Sequence, residues 1–209
     1  MLRNRQEAAE LLVKKLQAYK NKNGIVLAVP RGGIPIGYII AQELGLPLEI
    51  ILSKKIGHPL SPEFAVGSVT LQGYVKDKRS RDVSDDYIKQ DAERIQKELV
   101  ARYKLFMGNR KPTDLRGKIV IVTDDGIATG NTLEATINSI RQSNPEKIVV
   151  AVPVAPPDAA DRFRMLADEF ICLMEPYGFS AIGQFYSDFS QVSDEEVIEL
   201  LNKSAEKIK

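Results

Sequence analysis

Two adjacent carboxylates, Asp124 and Asp125, stand where a β-branched run, Ile119-Val120-Ile121-Val122, gives out. A continuous apolar run of this kind reads as a strand buried on both faces of a parallel sheet. Small and polar residues follow, Gly126-Ile127-Ala128-Thr129-Gly130-Asn131-Thr132, and then Leu133, Ile137 and Ile140 recur at helical spacing. The spacing predicts a helix from about Thr132. The free amides of a first helical turn point outward and the helix dipole favours an anion there, so the loop is a phosphate cradle. Thr129 and Thr132 add hydroxyl donors. The acid pair would repel a phosphate and suits hydroxyl groups or a divalent cation instead. One ligand that carries both a phosphate and a diol, with a metal, satisfies both halves of the motif.

A second strand, loop and helix lie nearer the N-terminus. Residues 24–30 (Gly-Ile-Val-Leu-Ala-Val-Pro) read as a buried strand, followed directly by Arg31-Gly32-Gly33. A helix comes next, with Pro35 near its first turn and Gly45 just past its end. The glycines allow backbone amides to approach an anion, and Arg31 offers a fixed positive fork. The next expected strand, 48–53, runs into Lys54-Lys55, a pair of candidate phosphate ligands. Lys55 is favoured by its alternation with Ile51 and Ser53. Both loops and the lysine pair fall at carboxyl ends of strands, where open α/β sheets bind ligands near a topological switch point. They are therefore expected to converge on one ligand.

The residues 122–132, VTDDGIATGNT, resemble the phosphoribosyl-pyrophosphate (PRPP) signature of the type I phosphoribosyltransferases. The Arg-Gly-Gly step is similar to the pyrophosphate loop of that family, especially in its bacterial xanthine-guanine enzymes. The resemblance implies a 5′-phosphate on Ala128, Thr129, Gly130, Asn131 and Thr132. It implies ribose hydroxyls on the catalytic pair Asp124 and Asp125, which would also meet Mg²⁺ indirectly through PRPP. It places pyrophosphate on Arg31, Gly32, Gly33, Lys54 and Lys55, and points to Pro30–Arg31 or Arg31–Gly32 as the place for a non-proline cis peptide. It further implies a mobile lid before the signature strand and a hood after the last core strand that stacks on the acceptor. The implied activity is transfer of 5-phosphoribosyl from PRPP to a small nitrogenous acceptor with loss of pyrophosphate. A PRPP-binding regulator with little or no transferase activity is the alternative. Two departures leave the acceptor open. No lysine stands at 154–157, where purine enzymes read an exocyclic oxygen, and Ala128 replaces the aspartate that acts on the base.

Composition agrees with a single soluble enzyme domain over 1–209. The chain has 44% hydrophobic residues and a net charge of +1, which gives no electrostatic case for nucleic acid. The one cysteine, Cys172, excludes an internal disulfide and suits a reducing compartment and a buried packing role. No segment reads as a membrane span, and Glu7 and Glu10 argue against a transit peptide, so a cytoplasmic location is expected. No P-loop and no GxGxxG after a strand is present, which disfavours a kinase or a dinucleotide enzyme. A phosphoacceptor signalling domain could use the two aspartates but has no need of a second anion loop.

The elements that must position these residues can be read in order. Residues 4–19 form an amphipathic packing helix with Asn4 and Glu7 at capping-box spacing. Residues 57–75 carry turn formers and two β-like runs, 64–70 and 74–76, with Gln72-Gly73 as a hairpin turn. This is the lid candidate, and His58 and Glu63 lie in it. Ser84 caps a long helix over 84–107 that stops at Gly108, with Ile88, Ala92, Ile95, Leu99 and Tyr103 as its apolar stripe. That helix is a candidate hood element or oligomer interface, and homo-oligomerisation is left open. Residues 147–154 and 169–174 are further core strands, with Asp158 expected to cap the helix between them. Residues 175–189 are rich in aromatic rings. Tyr177, Phe179, Phe185 and Tyr186 are the base-stacking candidates, and Asp188 is a candidate polar reader. Ser193 caps a last helix. Alternating strands and helices predict an α/β fold with a mostly parallel, doubly wound sheet. Its core spans about 24–174, with a hood at about 175–192 and an insertion of hairpin plus long helix at about 57–116.

Overall fold

The structure is a computed structural model that describes residues 1–71, 73–77, 80 and 82–206. Five parallel strands form the main sheet: β1 (Gly24–Ala28), β2 (Leu48–Ile50), β6 (Ile119–Thr123), β7 (Lys147–Val154) and β8 (Glu169–Met174). Their order is β2-β1-β6-β7-β8. Side chains alternate faces along a strand, and the two faces have different partners. Val26, Ala28, Ile121, Val149 and Ala151 pack beneath α1 (Arg5–Lys15), α2 (Gly33–Leu44), α3 (Asp85–Met107) and α6 (Asp194–Glu206). Ile25, Leu27, Val120, Val122 and Val150 pack against α4 (Asn131–Gln142) and α5 (Pro157–Leu166). The strands are apolar on both faces because both faces are covered.

Strand order reverses between β1 and β6. The chain leaves β1 towards β2 on one side and later returns to lay β6 on the other. Ala28 is in register with Thr123, and the Val29 amide donates to the Thr123 carbonyl at 3.0 Å. The loop after β1 and the acid pair after β6 thus leave the sheet side by side, at the crevice such a reversal creates.

The lysine pair differs from its expected place. The expected strand over 48–53 ends at Ile50. Ser53–His58 forms β3 of a separate antiparallel sheet, β3-β4-β5, with β4 (Ser61–Thr70) and β5 (Gly73–Lys76). Ser53 pairs with Thr70, Lys54 with Val69 and Lys55 with Ser68, so cross-strand pairing takes the segment away from the parallel edge. Lys54 and Lys55 lie inside β3, on opposite faces. The Gln72 half of the expected hairpin turn lies outside the described residues.

Caps follow sequence with two exceptions. Asn4 Oδ1 accepts from the Glu7 amide at 3.0 Å, and Ser84 and Ser193 accept from the Tyr87 and Glu196 amides. The Glu7 carboxylate, however, accepts from the Arg3 amide, so the reciprocal half of a capping box is displaced by one residue. Asp158 lies within the first turn of α5. Pro156 is the cap residue and Pro157 opens the helix, where a missing amide costs nothing.

Helix α3 buries Ile88, Ala92, Ile95, Leu99, Tyr103, Phe106 and Met107. It is pinned to the sheet by a buried carboxylate. Glu49 of β2 accepts from Tyr103 Oη at 3.0 Å and from the Thr113 amide and hydroxyl at 3.1 and 2.8 Å. Burial, together with the Glu49 charge, raises the Tyr103 phenol well above its ordinary value, so it stays a donor. Tyr103→Phe removes one of the partners that stabilise a buried charge. It is expected to destabilise the domain by about 1.5–3 kcal/mol, read as a lower urea midpoint at unchanged slope.

Candidate functional site

The acid pair is packed between two glycines and two distant chain segments. A Cβ on Gly32 would lie 1.9 Å from Asp125 Oδ2, and one on Gly33 would lie 2.9 Å from the Asp124 Cα. The glycines are therefore required first by how closely the β1 loop approaches the acids. The Gly33 amide donates to the Val29 carbonyl at 3.0 Å, so that amide is used within the loop. The Pro30–Arg31 peptide is cis.

Asp125 is held by Arg5, the first residue of α1. Its Oδ2 accepts from Arg5 Nη2 at 2.8 Å and from Nε at 3.1 Å, and both side chains are 11% exposed. The same guanidinium lies 4.0 Å over the Phe189 ring and donates to the Ser190 carbonyl at 2.8 Å. Tyr186 Oη donates to the Asp125 carbonyl at 2.7 Å, and the Tyr186 ring stacks on Phe189. Leu2 pairs with Tyr186 as a parallel bridge, in which the Leu2 amide donates to the Phe185 carbonyl and the Ser187 amide to the Leu2 carbonyl. The N-terminal segment, expected only to pack, thus fastens the aromatic segment to the acid pair.

Asp124 has a different environment. It lines a cleft between the β1 loop, β3, α3 and α4, and its Oδ1 accepts from the Asp125 amide at 2.8 Å. Burial first, and the neighbouring Asp125 charge second, hold its carboxyl well above the ordinary aspartate range. One acid is thus paired with a guanidinium, while its neighbour, open to the cleft, resists ionisation.

The cleft has a volume of about 500 Å³. Its walls come from Val29 and Pro30 after β1, the 51–54 segment, Asp124, the first turns of α4, and Glu98, Leu99 and Arg102 of α3. At the α4 end, Gly130 has φ +72°, which lets the loop turn into the helix, and a Cβ there would also meet the Phe163 ring at 2.6 Å. Arg162 of α5 braces this loop from behind through the Thr129 carbonyl, with Asn131 Oδ1 at 3.4 Å. Ala128 and Thr129 are exposed, while Gly130, Asn131 and Thr132 surround the open helix N-terminus.

The family model for the phosphoribosyl transferase domain matches residues 2–186, most of the chain. The chain belongs to the phosphoribosyl transferase family. Two Mycobacterium tuberculosis proteins, each named "putative phosphoribosyl transferase", are 38% identical over 205 residues, covering 96% of this chain. The chain spans 46% of the length of those relatives. The crystal structure of TT1426 from Thermus thermophilus is 35% identical and superposes with a TM-score of 0.88 over 97% of this chain and 98% of that one. A hypoxanthine-guanine phosphoribosyltransferase from Bacillus anthracis, 13% identical with a TM-score of 0.50 over 83% of this chain and 80% of that one, shares the fold.

Within this phosphoribosyl transferase domain the expected site residues separate into groups. Asp124, Lys54 and Thr132 meet at the cleft. Lys54 Nζ is paired with Glu98 Oε2 at 2.8 Å, whereas Lys55 is on the other face of β3 with Glu63 at 3.1 Å. The alternation that favoured Lys55 counted one continuous strand; the break at Ile51-Leu52 puts Lys54 on the cleft instead. Arg31 reaches Asp194 at the start of α6, 3.5 Å away, rather than the cleft wall. Tyr186 is 5% exposed with one face on Phe189, so it clamps the acid loop, while Tyr177 is 91% exposed and Phe179 packs on Phe185 at 5.2 Å. Asp188 accepts from the Ser190 amide, a turn contact. In the lid candidate, His58 is engaged by Asp82 at 3.1 Å and accepts from the Leu60 amide. Cys172 donates to the Met174 carbonyl, and burial pushes its thiol up to about 11. The residues that sequence did not single out are Arg5, Arg102 and Arg162. Each belongs to a helix, where a cation has no local signature; Arg5 and Arg162 act on residues far along the chain, and Arg102 lines the cleft from α3.

Arg5→Met keeps the side-chain stem and leaves Asp125 as a buried unpaired charge. It is expected to cost about 3–5 kcal/mol, measured by chemical denaturation. Asp124 gives the opposite sign. Its folded-state pKa is raised, so the stability present below the unfolded value of about 3.9 is lost as pH rises through the folded value. Asp124→Asn retains an oxygen for the Asp125 amide and does not ionise. It is expected to melt above wild type at pH 8, with the difference shrinking towards pH 4 in calorimetric scans.

Proposed function

We propose that this domain transfers a 5-phosphoribosyl group from PRPP to a small nitrogenous acceptor with release of pyrophosphate. The observation that carries the reading is the meeting of three features at one crevice: the loop after β1, the acid pair after β6, and the open N-terminus of α4. A ligand with a phosphate at one end and a diol in the middle matches that arrangement.

In this reading the amides and hydroxyls of residues 128–132 bind the 5′-phosphate, aided by the dipole of α4. Arg162 keeps the loop's carbonyl side turned away from the anion. Asp124, on the cleft wall, accepts from ribose hydroxyls, and Asp125 sets the position of its neighbour through Arg5 and the shared amide contact. The C1–O bond breaks with its electron pair passing to pyrophosphate. The lone pair of the acceptor nitrogen forms the C1–N bond, and any proton on that nitrogen is released. Positive charge grows on the ribose in between, and a nearby carboxylate stabilises it. Among the described residues, no cluster of three His, Cys, Asp or Glu side chains forms a metal cage. The acid pair fits Mg²⁺, which is commonly held by one or two carboxylates together with substrate phosphates. The metal would neutralise charge on the leaving group. Pairing of Asp125 with Arg5 leaves Asp124 as the carboxylate open to the cleft.

Calorimetric titration with PRPP and Mg²⁺ tests the proposal. Wild type is expected to bind, and Asp124→Asn to lose about ten- to a hundredfold in affinity, the worth of charge-assisted hydrogen bonds at about 1.5–3 kcal/mol. Pyrophosphate release is then screened across nitrogenous bases. Absence of PRPP binding by wild type, with or without acceptors, overturns the proposal. Binding without turnover on any acceptor turns the reading to a PRPP-binding regulator.

A further inference from the structure

Of the cations the motifs point to, Lys54 alone lines the cleft. Arg31 is drawn to Asp194, and Lys55 to Glu63. Two hydroxyls on the wall, those of Ser53 and Thr136, are also committed. Ser53 Oγ and Thr136 Oγ1 lie 2.5 Å apart, and Thr136 donates to the Thr132 carbonyl at 2.9 Å. The cations that line the cleft are Lys54 from β3 and Arg102 from α3.

These two are in different states. Lys54 is paired with Glu98, which also accepts from Arg94 Nη1 at 2.7 Å. Arg102 stands one helical turn beyond Glu98 on the same face of α3. Its recorded contact is the Phe106 ring, 5.7 Å from the guanidinium carbon, and it has no carboxylate partner among the described residues. The helix cannot roll to remove it, since Leu99, Tyr103 and Phe106 are buried beside it. A guanidinium held at the mouth of a cleft with its donors unspent matches a phosphate oxygen pair.

We propose that Arg102 and Lys54 form an anion subsite for a diphosphate group, with Glu98 as an internal competitor that occupies Lys54 until the ligand displaces it. The subsite assigns a role to the inserted helix α3: it is the far wall of the leaving-group pocket. The inference rests on the phosphoribosyl reading for its biological ligand, but a diphosphate alone can test it.

The experiment titrates inorganic pyrophosphate with Mg²⁺, ribose 5-phosphate and PRPP into wild type, Arg102→Gln, Arg102→Lys and Glu98→Gln at one fixed ionic strength. Arg102 and Glu98 are exposed on α3, so neither change opens the core. Arg102→Gln is expected to weaken pyrophosphate about tenfold while ribose 5-phosphate is unaffected, with Arg102→Lys in between. Glu98→Gln frees Lys54 and is expected to tighten pyrophosphate several-fold, a gain that damage to the fold would not give. Unchanged pyrophosphate affinity in Arg102→Gln overturns the subsite. So does equal loss of both ligands, failure of Glu98→Gln to tighten, or absence of pyrophosphate binding by wild type. Wild type that binds pyrophosphate but not PRPP overturns the phosphoribosyl reading and leaves the subsite standing.

Discussion

The close approach of the β1 loop to two carboxylates is the constraint on which the site depends. Carboxylates do not pack against backbone in a half-buried crevice without compensation. Gly32 and Gly33 provide the space, and Arg5 supplies a counter-charge that sets Asp125 apart from Asp124. The strand reversal at β1 and β6 brings these loops together, but a reversal alone would leave two repelling acids at a sheet edge. The guanidinium resolves that conflict, and it does so from outside the core, with an aromatic ring beneath it and a backbone carbonyl at its third nitrogen.

A division of labour between the two acids follows. Adjacent aspartates look equivalent in a sequence, yet one side chain faces a guanidinium and the other faces the cleft. The first is a structural tie between three segments, and the second is the group available to a ligand. Keeping the cleft-facing acid costs folding stability at neutral pH, because burial and its neighbour both disfavour its charge. Stability given up at one position in exchange for chemistry there is a common feature of binding sites.

The parallel core was legible because its strands are short, continuous apolar runs with helices between them. The loop between β6 and α4 was legible because Gly130 turns it into the helix at a positive φ and the acid pair stands where the apolar strand ends. The second sheet was read less well. The stretch 48–58 has no strong break in its pattern, so one strand over 48–53 was the natural reading, and only cross-strand pairing with β4 decides that Lys54 and Lys55 belong elsewhere. Tyr186 illustrates a further limit. An aromatic ring in a loop reads equally as a stacking platform or as packing, and its burial depends on Leu2 and Phe189, one of them at the other end of the chain. Arg5 and Arg102 were invisible for the same reason: a cation on an amphipathic helix looks solvated until the tertiary fold shows what it faces.

The contact between the two ends of the domain bears on how the site comes into being. Arg5 waits for Ser190, which is synthesised 185 residues later, and Leu2 waits for Tyr186. The sheet strands can pair as they emerge, but the aromatic ring and the carbonyl that hold the Arg5 guanidinium against Asp125 arrive only with residues 189 and 190. Closing so long a loop is among the slower kinds of contact a chain forms. A nascent chain therefore has the loop before α4 in place ahead of a settled acid pair, and the crevice takes its final form only as the two ends of the domain meet.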